Sequence, residues 1–130
     1  MESIRISRLL KEQILEHVEN LIPEEACGLL GGINGEVLSV LPVENELHSP
    51  IKFRMAASEQ IQSFQSIESQ GLVVIGIYHS HPKGQDFPSD SDIKEHAYPE
   101  SASFICSKMA GIWNLHAFWI REGQVQEIEL

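Results

Sequence analysis

With 130 residues, 42% of them hydrophobic and 22% charged, the sequence has apolar mass for one core without disulfide support, and a single domain over residues 1–130 is expected. A formal net charge of −10, from 19 acidic residues against 9 basic, repels a phosphate backbone and excludes nucleic acid as the main partner. No apolar run is long enough to span a bilayer, the charged opening MESIRISRLLKEQ lacks the apolar core of a secretory signal, and two cysteines suit a cytoplasmic, reducing setting.

Ser7 to Leu21 carries apolar residues at helical spacing (Leu9, Leu10, Ile14, Leu15, Val18, Leu21), with Ser7 as N-cap and Pro23 as the stop. ACGLLGG reads as a short buried strand, and Asn34-Gly35 as a hairpin turn into EVLSVLPVEN. A second helix is expected from Ser58 to Gln70, burying Ile61, Phe64 and Ile67 and ending at Gly71. LVVIGIYHSH is nearly continuous in apolar residues, the pattern of a strand covered on both faces. Ser91 to Tyr98 reads as a short helix closed by Pro99. Three more strands follow in SASFICS, WNLHAFWI and QVQEIEL, the last two joined by a turn at Arg121-Glu122-Gly123. The order of elements gives an α/β (α+β) fold, with helices flanking a central mixed sheet.

Chemistry concentrates where the buried strand ends in His79-Ser80-His81. Residues i and i+2 of a strand face the same side, about 6–7 Å apart, so two imidazoles can converge on one ion. The loop that follows supplies Asp86, Ser89, Asp90 and Asp92. A catalytic zinc takes three protein ligands and keeps one position open, which two histidines and one carboxylate of this loop satisfy. Ser89-Asp90-Ser91-Asp92 also reads as a helix N-terminus, where Ser caps and acids favour the dipole; both readings can hold together.

The spacing His-x-His, seven residues, Ser, two residues, Asp resembles the signature of the JAMM (MPN+) zinc metalloproteases, matched here by His79, His81, Ser89 and Asp92. Upstream, Pro23-Glu24-Glu25-Ala26-Cys27-Gly28-Leu29-Leu30 resembles the segment that carries the family's catalytic glutamate in short prokaryotic members. The approach LVVIGIYHSHP and the later Tyr98-Pro99 before SASFICS are similar too, so the likeness runs from about Pro23 to the C-terminus.

That resemblance implies an MPN fold related to the cytidine-deaminase-like sandwich, with one zinc held by His79, His81 and Asp92. It implies Glu25 as general base and Ser89 as hydrogen-bond donor to the oxyanion. The residues alone do not choose between Glu24 and Glu25; the match to Pro-x-Glu-x-Cys-Gly picks Glu25. The implied reaction is hydrolysis of amide or isopeptide bonds after the C-terminal diglycine of a ubiquitin-like protein or sulfur carrier. Such a chain end can lie extended in a channel too narrow for side chains. A peptidase acting on cell-wall or phage-tail peptides is the rival within the same chemistry, and a metal-free interaction scaffold the rival outside it. A zinc nucleobase deaminase would need H-x-E and P-C-x-x-C, which the sequence lacks. Cys27, Cys106, Trp113 and Trp119 read as core, and His17, His48, His96 and His116 as surface or packing residues. Asp86 and Asp90 fall outside the ligand register. No membrane partner is expected, and the protein is expected as a monomer or homodimer.

Overall fold

The computed structural model describes residues 3–130; Met1 and Glu2, at the head of the stretch read as lacking a signal core, lie outside the described residues. Among the described residues, six strands form one sheet in the order β2-β1-β3-β4-β5-β6, with β1 at Cys27–Ile33, β2 at Glu36–Val43, β3 at Val73–His81, β4 at Ala102–Met109, β5 at Ile112–Arg121 and β6 at Gln124–Ile128. Only β3 and β4 run parallel; the other neighbours are antiparallel. The helices are α1 (Arg8–Asn20), α2 (Ala57–Ser69) and α3 (Asp90–Glu95). The expected mixed sheet with flanking helices is thus the fold observed.

Local chemistry sets most element ends. The Ser7 hydroxyl caps α1 by accepting from the Leu10 amide. Gly71, at φ 74°, closes α2 by donating to the Glu68 carbonyl while Leu72 donates to that of Ile67, the double bond of a Schellman end. Asn34-Gly35 and Glu122-Gly123 both have positive φ at both positions, as tight two-residue hairpins require. A third such turn, Ala110-Gly111, escapes sequence reading because alanine is an unfavourable residue at the φ of 52° it adopts.

Side-chain alternation divides the core between the two sheet faces. Leu30, Tyr78, Phe104, Cys106 and Ala117 face α1, where they join Ile14, Val18 and Ile4. Cys27, Leu29, Val43 and Met55 face α2 with Ile67, and Ile105, Phe118 and Ile120 continue that face beneath Ile93 of α3. Before α1, Ile4 donates to the Glu129 carbonyl, Arg5 donates to that of Gly35, and Val37 donates back to Arg5. Three extended residues reach about 10 Å, so the two sheet edges approach one another on the α1 side.

Three expectations need correction. Ile61 is 57% exposed, because the buried stripe of α2 follows Ser63 and Ile67 with Phe64 beside them, and Ile61 falls off it. Leu9 of α1 is exposed as well. The short helix ends at Glu95 rather than Tyr98: His96 is already extended, its Nε2 2.7 Å from the Tyr98 carbonyl, and the residue before Pro99 is steered from helical geometry. Trp113 and Trp119 pack against the core as expected and are half-buried there, with Trp113 donating to the Glu19 carboxylate and the Arg121 guanidinium stacked over Trp119.

Gly28 explains part of the Cys-Gly pair in the upstream motif. It lies opposite Tyr78 in the β1–β3 register, with the phenol ring across the place a Cβ would occupy. The ring is itself held by a 2.7 Å hydrogen bond between its hydroxyl and His17 Nδ1. Gly28→Ala is therefore expected to destabilise the protein by about 1–3 kcal/mol, read as a lower Tm in thermal denaturation.

Candidate metal centre

The centre is built where β3 leaves the sheet. Alternation puts Ile77, His79 and His81 on the α2 face, and both imidazoles are buried. After the loop, Ser89 caps α3 with a capping box: its hydroxyl accepts from the Asp92 amide at 3.0 Å, and its own amide donates to Asp92 Oδ2 at 2.9 Å. The helix start that the sequence suggested is real, and it aims the Asp92 carboxylate at the strand end.

Three potential ligand atoms converge. His79 Nε2 and His81 Nε2 are 3.0 Å apart, and Asp92 Oδ2 lies 3.1 Å and 3.0 Å from them respectively. Ligands at tetrahedral zinc distances stand about 3.3 Å from one another, so the triangle is already near the size of a zinc face. Its chemistry fits a cation too. His81 Nδ1 lies 2.8 Å from the Gln85 carbonyl, which can only accept, so on a neutral ring Nε2 carries a lone pair. That lone pair faces another imidazole nitrogen and a carboxylate oxygen, an arrangement a shared positive ion relieves. Phe53 stacks on the His79 ring with centroids 4.6 Å apart.

Electrostatics agree with the geometry. Burial pushes the Asp92 carboxyl upward, but hydrogen bonds from both histidines outweigh it and hold the group far below the usual carboxylate range. Burial lowers His79. His81 is pulled down by burial but raised overall by Asp92 and the Gln85 carbonyl.

Glu25 sits two residues before β1, 4% exposed, with Oε1 buried and without a hydrogen-bond partner among the described residues. Its backbone is pinned: the amide donates to the Ser49 carbonyl, and its carbonyl accepts from Asn45 Nδ2. Burial pushes its carboxyl up to about 8, with His81 and Asp92 as the charges that act on it. Glu24 turns the other way and pairs with His48 at 3.1 Å. Asp86 pairs with His116 at 3.6 Å, Asp90 is exposed, and neither joins the triangle. Cys27 and Cys106 are buried free thiols, both pushed up by burial, as core cysteines are.

A cleft of about 230 Å³ opens beside the triangle. Lys52, Phe53, Arg54 and Met55 line it together with Glu95, His96 and Tyr98, and His79 and Asp92 of the triangle join the lining. Lys52 and Glu95, both in the lining, form a 3.6 Å ion pair. Sequence reasoning passed over Phe53, Asn45 and the Gln85 carbonyl, whose roles arise only from contacts made in the folded chain.

Residues 7–121 match the family model described as prokaryotic homologs of the JAB domain. The chain belongs to that family. This prokaryotic JAB-domain protein is 33% identical over 120 residues to a probable TtuB-protein conjugate cleaving protease of Thermus thermophilus, covering 92% of the chain and 77% of that relative. It is 37% identical over 70 residues to a desampylase of Pyrococcus furiosus, a match spanning 54% of the chain and only 50% of the relative's length. In three dimensions it is similar to a solution structure from Desulfitobacterium hafniense, with a TM-score of 0.86 at 31% identity over 97% of this chain and 90% of that one.

Proposed function

We propose that this prokaryotic JAB-domain protein is a zinc-dependent hydrolase that cleaves the amide or isopeptide bond after the C-terminal diglycine of a ubiquitin-like protein or sulfur carrier. The observation that carries this reading is the His79–His81–Asp92 triangle with the buried Glu25 carboxyl near enough that His81 and Asp92 are the charges acting on it, its Oε1 without a hydrogen-bond partner among the described residues. A buried carboxylate oxygen without a partner costs stability and is retained where a reaction uses it. His79, His81 and Asp92 would hold the zinc. When bound there, zinc supplies Lewis acidity, polarising a carbonyl and acidifying water.

The chain's own residues do the rest. Glu25 takes the proton of the attacking water and delivers it to the leaving amine, a role suited to a carboxyl that burial has raised. Ser89 accepts from the Asp92 amide and so keeps its hydroxyl proton free to donate to the oxyanion. Phe53, stacked on the His79 ring, shields one side of it from water. Ser89→Ala is expected to lower kcat by about 10²–10³-fold with zinc content unchanged, measured by steady-state kinetics and elemental analysis.

The Thermus relative's name supports conjugates as the substrate class. A diglycine end suits a cleft lined by the paired Lys52 and Glu95, since it enters without side chains. No helix among the described residues is long and apolar enough to cross a membrane. The two buried free thiols suit a reducing cytoplasm.

The test is a diglycine-ending sulfur carrier joined through an isopeptide bond to a lysine of a second protein, incubated with zinc-loaded enzyme. Free carrier should appear and a chelator should stop its release. Cleavage of a cell-wall peptide with the conjugate left intact would transfer the machinery to the rival substrate. Activity on neither, in a preparation that binds no zinc, would leave the scaffold reading.

A further inference from the structure

Asn45 follows the end of β2 and is 2% exposed. Its side chain makes four hydrogen bonds. Nδ2 donates to the Glu25 carbonyl and the Lys52 carbonyl, both at 3.0 Å, and Oδ1 accepts from the Leu47 and Arg54 amides, both at 3.1 Å. Two carbonyls on one side and two N–H groups on the other fix the orientation of the amide, because the reversed one would oppose like with like at every contact. The Leu47 bond is a local Asx turn. The Lys52 and Arg54 bonds close the loop that follows Asn45, and the Glu25 bond reaches back to the segment before β1.

Their destinations belong to the site. Glu25 carries the unpartnered buried oxygen. Lys52 and Arg54 bracket Phe53, which lines the cleft and stacks on the His79 ring. One buried amide thus ties the backbone of the base to the backbone that carries both the cleft wall and the ring against a ligand histidine. We propose that Asn45 is a positioning residue that locks Glu25 and the Lys52–Arg54 wall into one rigid unit, so that substrate held by the wall meets the base in register. An apolar residue of similar size would fill the space but leave two carbonyls and two amides without these partners. A misplacement of about 1 Å between reacting groups is enough to cost about a hundredfold in rate.

Asn45→Asp isolates the tie, since it keeps both acceptor contacts and removes the two donors that hold Glu25 and Lys52. On zinc-loaded full-length protein with the diglycine conjugate, kcat should fall about 10–100-fold and KM rise several-fold, with zinc per chain unchanged. Hydrogen–deuterium exchange should quicken in residues 21–27 and 50–56 and stay at the wild-type rate in β3 to β6. Asn45→Ser, which carries no added charge, should reproduce the pattern if the aspartate folds poorly. Kinetic constants within twofold of wild type would overturn the proposal. So would exchange quickened evenly through the sheet, the mark of a residue that serves stability alone. The kinetic arm rests on the hydrolase reading: a wild type that cleaves nothing defeats that reading, while the exchange pattern still decides whether Asn45 couples the two segments.

Discussion

Glu25→Gln is expected to keep the fold and one zinc per chain and to lower kcat by about 10²–10⁴-fold, the usual worth of a general base. The amide nearly matches the carboxylate in shape, and the pinning by Ser49 and Asn45 uses only the backbone atoms of residue 25, so the substitution leaves those contacts alone. What disappears is a proton acceptor at a buried position. A separate effect follows from burial having raised this carboxyl to about 8. In the unfolded chain the group ionises near its ordinary value of about 4.3. Between those values the unfolded state releases its proton first, so stability from this group is full at low pH, declines as pH rises, and levels off above about 8. Metal-stripped Glu25→Gln should therefore melt higher than metal-stripped wild type at pH 8, and the gap should close toward pH 4. Equal melting temperatures at pH 8 would show that the carboxylate is not buried as described. Full activity would move the base elsewhere, with Glu24 as the first place to look.

The second large effect is expected at Asp92. Asp92→Ala removes one of the three proposed ligands and the acceptor that holds the Ser89 amide, leaving His79 and His81 as a pair. After dialysis zinc should fall well below one per chain, and hydrolysis should drop to the uncatalysed background. Asp86→Ala is the matched control in the same loop, because that carboxylate pairs with His116 and stands outside the triangle. It should keep both zinc and activity. Loss of zinc in both variants would point to a disordered loop rather than a lost ligand.

How much of this was legible in the sequence depended on how local each feature is. His79 and His81 share a face because strand period does not depend on what surrounds the strand. Ser89 and Asp92 are fixed to each other by a capping box written within four residues. Those two pieces are short, and the likeness to the JAMM signature is what joins them into one site at the level of sequence. Glu25 is different: the residues alone left it level with Glu24, the likeness to Pro-x-Glu-x-Cys-Gly picked it, and in the fold Glu24 reaches His48 while Glu25 turns inward. Asn45 and Phe53 were unreadable because their partners lie in segments brought together by the β1–β2 hairpin and the chain returning from it. Ile61 misled for a similar reason. Hydrophobic spacing marks a stripe, but the sheet chose a neighbouring one centred on Ser63 and Ile67.

The most direct measurement of the central claim is the intact mass of a diglycine-ending sulfur carrier that bears one added C-terminal amino acid, before and after incubation with the zinc-loaded protein. The expected result is loss of one residue's mass, leaving the free diglycine end, with the loss abolished by chelator and restored by added zinc. An unchanged carrier mass in the presence of a fully zinc-loaded chain would contradict it.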